Sequence, residues 1–322
     1  MRISLITPAP HRSRYGNRNT ASRWAGFLRE LGHTVTIEQL WSPAASDMMI
    51  ALHARRSADS ISRYAAMYPR RPLVVMLTGT DLYNDIASSE PARVSLALAT
   101  RLVVLQELGP RAVPAVHRAK VRVIYQSALV AAQPPLTSCF EVVVSGHLRE
   151  VKDPFRAAAA LSLLPDSSRI RLTHIGGALD SSLAAEAGRW MKREPRYRWL
   201  GELPRWRALR VLGRSRVMVI SSRMEGGANV VGEAIAAHVP VIASRVPGNV
   251  GMLGPRHPGY FPFGDERALA RFLVRAEQDG DFYARLRSSS VSRASLVTPA
   301  RERRALEQLL SECGRALPKA AA

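Results

Sequence analysis

Two carboxylates, Glu225 and Glu233, stand in the sequence with seven residues between them. The surrounding segment, 217–254, reads as a buried strand, a glycine-bearing turn, a helix and a second buried strand. Glu225 falls just past the carboxyl end of the first strand, where open α/β sheets bind ligands. Gly226 and Gly227 let the backbone approach a ligand closely, and the N–H groups of a helix starting near Ala228, Asn229 and Val230 suit a phosphate. Two turns into that helix, Glu233 is placed to accept hydrogen bonds from sugar or ribose hydroxyls. A phosphate cradle between two hydroxyl-binding carboxylates is the chemistry of a nucleotide-sugar site.

A second group of polar residues lies at strand ends of the first half. The loop from Thr7 to Thr20 gathers Arg12, Arg14 and Arg18 at the start of a helix, with Gly16 and Asn17 suited to a tight turn and Asn19 or Thr20 as N-cap. Cations there oppose the helix dipole, and an anionic ligand would resolve the conflict. Ala51-Leu-His-Ala-Arg-Arg-Ser57, Leu77-Thr-Gly-Thr-Asp-Leu-Tyr83 and Gln126-Ser127 end three further strands. They add His53, Arg55, Thr80, Asp81 and Gln126 to the candidates. His53 is equally consistent with a core or capping histidine.

The elements that must position these residues alternate. Strands are expected at Arg2–Thr7, His33–Glu38, Asp47–Leu52, Leu73–Thr78, Arg101–Leu105 and Val121–Tyr125, with helices at 20–31, 56–67 and 91–99. The stretch 131–138 carries two prolines and marks a linker. A second series follows, with strands at 140–145, 170–175, 216–220 and 239–244 and helices at 154–163, 181–193, 205–213 and 229–238. From Glu266 onward the pattern is helical, and Pro299 suits the first position of a final helix. Alternating strands and helices predict parallel sheets covered on both faces. The expected division is 1–132, 139–297 and a C-terminal helical segment, 298–322.

Composition narrows the classes. With 322 residues, 47% of them hydrophobic, the chain can build two ordinary cores. No apolar run approaches the roughly 18 residues of a membrane span, and the N-terminus reads as a first strand without the h-region of a signal peptide. Cys139 and Cys313 are too few for a disulfide framework or a cysteine zinc cluster. A cytoplasmic compartment is expected. The net charge of +20 is almost all arginine, since lysine occurs only at Lys120, Lys152, Lys192 and Lys319. Low lysine beside abundant arginine and alanine fits a GC-rich coding sequence, while a positive site also concentrates anionic substrates. No helix-turn-helix, zinc-finger or aromatic RNA-binding motif accompanies the charge, so no nucleic-acid partner is expected.

The Glu-x7-Glu pair, the Pro240-Val-Ile242 strand and the turn from Gly248 to Gly251 resemble the donor site of the large retaining glycosyltransferase family with the GT-B fold. That resemblance implies two doubly wound Rossmann-like domains facing each other across a cleft, the last helix crossing back to the first domain. It also implies that Glu225 holds the transferred sugar and Glu233 the nucleotide ribose. The family's Gly-Arg-Leu-x-x-x-Lys segment appears here as Gly146-His-Leu-Arg-Glu-Val-Lys152, which keeps Lys152 in register but puts His147 where arginine belongs. Neutral histidine donates one hydrogen bond where arginine offers a charged fork, so either Arg149 substitutes or the loop differs in detail. Trp199-Leu-Gly-Glu-Leu-Pro204 resembles the segment that lays Gly201 and Leu203 against the donor base; an ordinary strand end followed by a helix-starting proline fits it equally well.

Segments 16–25, 51–57, 77–83, 146–154 and 222–230 taken together resemble one bacterial subfamily, the selenosugar synthases of selenoneine biosynthesis. The resemblance implies joining of selenophosphate to the anomeric carbon of a UDP-sugar, UDP-N-acetylglucosamine or UDP-glucose, with Lys152, Arg149 and Glu225 at the reacting centre. It implies an acceptor site built from Gly16, Asn17, Arg18, His53, Arg55, Thr80, Asp81 and Gln126. No Asp-x-Asp motif is present, so neither a metal nor a further cofactor is expected. The alternatives are a glycosyltransferase of the same fold with a lipid or polysaccharide acceptor, a nucleic-acid-binding protein, and a sugar epimerase. No convincing basic amphipathic helix appears in the first half, and stable membrane association is not expected.

Overall fold

Short runs rich in Val, Ile, Leu and Met bounded by polar turns become fully buried strands when helices cover both faces of a parallel sheet. The computed structural model, which describes residues 1–11, 13, 16–43 and 45–315, contains two such sheets. They belong to two compact units, Met1–Gln126 together with the chain from Pro299 onward, and Ser127–Thr298.

The first unit holds β1 (Arg2–Ile6), β2 (Thr34–Glu38), β3 (Met48–Leu52), β4 (Leu73–Met76), β5 (Arg101–Val104) and β6 (Val121–Val123), all parallel, in the order β2-β1-β3-β4-β5-β6. The order reverses between β1 and β3. All five residues of β3 are buried, as a central strand requires. The helix Pro299–Arg315 completes this unit: Leu306, Leu309, Leu310 and Cys313 share a core with Trp24, Leu28 and Ile50. The buried Glu302 carboxylate fastens it, accepting from Arg23 Nε at 2.9 Å and Trp24 Nε1 at 2.8 Å. Glu312 pairs with Arg101 and Arg122, which hold its carboxyl below the usual range against the opposing effect of burial.

The second unit holds β7 (Phe140–Ser145), β8 (Ile170–Ile175), β9 (Tyr197–Trp199), β10 (Val217–Ile220), β11 (Val241–Ser244) and β12 (Tyr260–Phe261), again all parallel, in the order β12-β11-β10-β7-β8-β9. This is the doubly wound dinucleotide-binding order, and its switch point lies between β7 and β10.

Several boundaries differ from expectation. The units divide after Gln126 and not after residue 132, because the intervening backbone pairs with the second unit: Ala128 N donates to Val297 O at 3.0 Å and Gln133 N to Gly213 O at 3.1 Å. The first helix starts at Gly16, so Asn19 and Thr20 lie inside it and are not caps; Thr20 Oγ1 donates back to Gly16 O. The expected turn at Gly248 and Gly251 is a helix, Pro247–Leu253, in which proline at the start offsets two glycines. β12, two residues long, was not anticipated, and β9 was anticipated only as the alternative reading of a strand end at Trp199.

Candidate functional site

The carboxyl ends of β7 and β10 flank the switch point of the second sheet. The loop after β7 carries Gly146 to Lys152 and the loop after β10 carries Ser221 to Ala228. They are tied together: Ser221 Oγ donates to Asp153 O at 2.9 Å, and Arg223 N to Val151 O at 2.9 Å. Lys152 Nζ consequently meets Glu225 Oε1 at 2.6 Å. Glu225 is buried while Lys152 is about a third exposed, so the pair sits at the lip of the loop cluster. Ser222 Oγ donates to the same Oε1 at 2.5 Å. Both side-chain donors that reach Glu225 among the described residues thus converge on one oxygen.

Gly226, Gly227 and Ala228 are buried and lead into the helix Asn229–Ala236, with Val230 half-buried in its first turn. Ala228 has no side-chain oxygen to cap that helix. Glu233 is buried and pairs through Oε1 with Arg205 Nη1 at 2.8 Å. Arg205 opens the helix Arg205–Arg214 directly after the half-buried Leu203 and the exposed Pro204. Sequence reasoning missed Arg205 and Ser222. Ser222 precedes Glu225 closely enough to be noticed; nothing in the spacing links Arg205 to Glu233.

Three loops pack beside this pair. His147 Nδ1 accepts from Gly177 N at 3.2 Å, which puts the ring proton on Nε2. Gly176 takes φ 146°, and a Cβ there would lie 2.0 Å from Gly146 O, so only glycine brings these loops together. Gly201 adopts φ 68° and accepts from Gly176 N at 2.8 Å. His174 lies beneath them, its Nε2 3.3 Å from Gly146 O and its Nδ1 3.1 Å from Tyr197 Oη. Burial pushes its pKa down to about 4. It holds the loop rather than facing a ligand. Arg149 is half-buried in extended backbone just before the turn that carries Lys152.

In the first unit the candidates form two clusters. His53 is buried with φ 75°, an uncommon conformation for a residue with a side chain. Arg56 N donates to its Nδ1 at 3.3 Å and its Nε2 lies 3.0 Å from Thr80 Oγ1. Desolvation lowers the His53 pKa despite nearby Asp81, so the ring is neutral near pH 7. Arg55, about half exposed, binds Asp85 through Nε at 2.8 Å. Asp81 is fully buried: Oδ1 accepts from Thr78 N at 2.8 Å and Gly79 N at 2.9 Å, and Oδ2 from Ala54 N at 2.9 Å. The expected substrate contact of Asp81 therefore gives way to a role in joining the loops after β3 and β4. The second cluster centres on buried Gln126, whose Oε1 accepts from Arg23 Nη2 at 2.9 Å and lies 3.0 Å from Thr20 Oγ1, which shares its one proton between this oxygen and Gly16 O. Its carbonyl oxygen is likewise occupied. Gly16 is exposed and Asn17 and Arg18 are half-buried at the helix start; Arg12 and Arg14 lie outside the described residues. Among the described residues no group of three or more His, Cys, Asp or Glu side chains could hold a metal ion. No helix among them is long and apolar enough to cross a membrane.

Two doubly wound parallel sheets, the second with a lysine-paired carboxylate at its switch point, define the GT-B class of fold. The chain belongs to the family of glycosyl transferases group 1, whose model matches residues 131–292, half of the chain. It is 26% identical over 278 residues to glycosyltransferase 1 domain-containing protein 1 of Xenopus tropicalis, covering 77% of this chain and 80% of that protein. Among solved structures it is similar to Anabaena HepE in complex with UDP and glucose, with TM-score 0.76, 17% identity, and coverage of 97% of this chain and 99% of that one. Sucrose-phosphate synthase from Thermosynechococcus elongatus gives TM-score 0.78 at 16% identity, covering 98% and 99%. These likenesses establish the shared fold.

Proposed function

We propose that this chain transfers a hexose from a UDP-sugar to selenophosphate, with the donor held at the carboxyl ends of β7 and β10. The observation that carries the donor assignment is the buried Glu225, held on one oxygen by Lys152 at the switch point of a dinucleotide-binding sheet. A nucleotide donor is supported by the family to which the chain belongs, and UDP by the UDP complex of the similar HepE structure. Selenophosphate is supported by the five segments that resemble the selenosugar synthases, and by the accessible cations Arg18 and Arg55 in the first unit.

In this reading Glu225 Oε2 binds hydroxyls of the transferred sugar and Glu233 binds those of the ribose. Lys152 and Arg149 neutralise the diphosphate as negative charge develops on it, and His147 Nε2 donates a hydrogen bond to it. Selenium attacks C1 of the sugar and the bond from C1 to the diphosphate oxygen breaks, releasing UDP. Water cleaves the phosphorus–selenium bond, so the products are a 1-selenosugar, UDP and phosphate. Selenium is already a strong nucleophile and requires no general base.

Purified protein incubated with UDP-N-acetylglucosamine or UDP-glucose and selenophosphate should release UDP and yield a selenium-bearing sugar by mass spectrometry, without added divalent metal. Arg18→Ala should raise the apparent KM for selenophosphate and leave UDP affinity intact, because Arg18 belongs to the other unit. UDP binding without any selenosugar would remove the acceptor and leave a glycosyltransferase for another acceptor.

A further inference from the structure

The side chain of Glu225 ends a buried polar chain that the reading above does not use. Asn249, fully buried in the helix Pro247–Leu253, donates through Nδ2 to Ser244 O at 3.0 Å and to Ser244 Oγ at 3.2 Å. Ser244 Oγ in turn donates to Ser222 O at 2.6 Å, and Ser222 Oγ donates to Glu225 Oε1 at 2.5 Å. Ser244 has no exposed surface and Ser222 is 1% exposed, so bulk water does not compete for these bonds. Their direction is fixed by chemistry. The Ser244 hydroxyl has one proton, given to Ser222 O, and can only accept from Asn249. The same helix abuts the main chain of Glu225, since a Cβ on Gly248 would lie 1.8 Å from Glu225 O. Asn249 Oδ1 remains buried without a hydrogen-bond partner, a cost that a fold retains at places under functional constraint.

We infer that Ser222 is a positioning residue that sets the rotamer of Glu225, and that Ser244 and Asn249 hold Ser222 in register through its carbonyl. Lys152 alone reaches Oε1 from the partly exposed side on a flexible stem, and an ion pair of that kind leaves the carboxylate free to rotate. A second donor from the buried side fixes the carboxylate plane and turns Oε2 outward. Ser222 thereby acts on the sugar through Glu225 and does not touch the nucleotide. The inference rests on the assignment of Glu225 to the transferred sugar.

Calorimetric titration of UDP and of UDP-glucose separates the two roles. Ser222→Ala should keep UDP affinity within about twofold while losing the added affinity that the glucose contributes, with turnover down about tenfold or more, the usual consequence of losing one hydrogen bond to a charged group. Ser222→Thr, which retains the hydroxyl, should restore both. Ser244→Ala should move the same two quantities in the same direction by less. Wild-type UDP-glucose affinity and turnover in folded Ser222→Ala, while Glu225→Ala loses both, would overturn the inference alone. Equal loss of UDP and UDP-glucose affinity in Ser222→Ala would also overturn it, by showing general collapse of the loop. If Glu225→Ala binds UDP-glucose like wild type, the sugar assignment of Glu225 falls, and this inference with it.

Discussion

A charged carboxylate that is 6% exposed persists only when its partners offset the loss of water, and Glu225 has two, Lys152 and Ser222. The lysine charge answers Glu225, and on the proposed reading the same charge serves the departing diphosphate. Lys152→Ala should therefore lower turnover about a hundredfold, the usual effect of removing one donor from a developing oxyanion. Its unfolding midpoint should move little, because Ser222 still serves Oε1 and water reaches the vacated space. Turnover within about twofold of wild type would remove Lys152 from the leaving-group role. At this scale the sequence is legible where chemistry follows spacing: the two glutamates and the in-register lysine are all visible along the chain. It is opaque where partners meet from different loops. Arg205 reaches Glu233 from another helix, and nothing in the letter code reveals that Asp81 and Gln126 are sealed and already hydrogen-bonded.

At the scale of elements, the site depends on close backbone approach between a loop and a helix. Gly248→Ala should disturb Glu225 directly, since the added Cβ would overlap the Glu225 carbonyl. Overpacking of this kind costs about 1–3 kcal/mol, so a lower thermal midpoint is expected together with loss of sugar-dependent donor affinity. A fully active and equally stable Gly248→Ala would show that helix and loop are not in register as described. The ten strands other than β9 and β12 were legible because apolar runs, or apolar residues alternating with Arg, Thr or Ser, extend into the flanking sequence; even three-residue β6 lies within the mostly apolar stretch Val121–Tyr125. β9, Tyr197–Trp199, carries an arginine between two aromatics and is too short for either pattern. The helix Pro247–Leu253 reads as a turn because two glycines lie within its seven residues; its start is fixed by proline and its packing on Glu225 is tertiary. The first helix begins four residues early for a similar reason, since glycine and asparagine are weak helix formers and packing overrides them.

Considered whole, the molecule carries a net charge of +20 on two units, each with its own sheet, and the second unit also has buried neutral histidines. Burial lowers the pKa of both His174 and His257 to about 4, from an unfolded value of 6.5. Because the unfolded chain binds these protons first, the stability they permit is complete above about pH 6.5 and is lost as pH falls toward 4. The thermal midpoint of the second unit should therefore drop between those limits, before carboxylate protonation dominates; a flat profile from pH 6.5 to 4.5 would contradict the buried neutral state. On the proposed function, the carboxyl ends of β7 and β10 hold a uridine nucleotide. The most direct measurement is calorimetric titration of UDP into wild-type protein and into Glu233→Ala. A carboxylate that bridges ribose hydroxyls contributes about 1.5–3 kcal/mol, so UDP should bind wild type tightly and a folded mutant about ten- to a hundredfold more weakly. Unchanged UDP affinity in Glu233→Ala would contradict it.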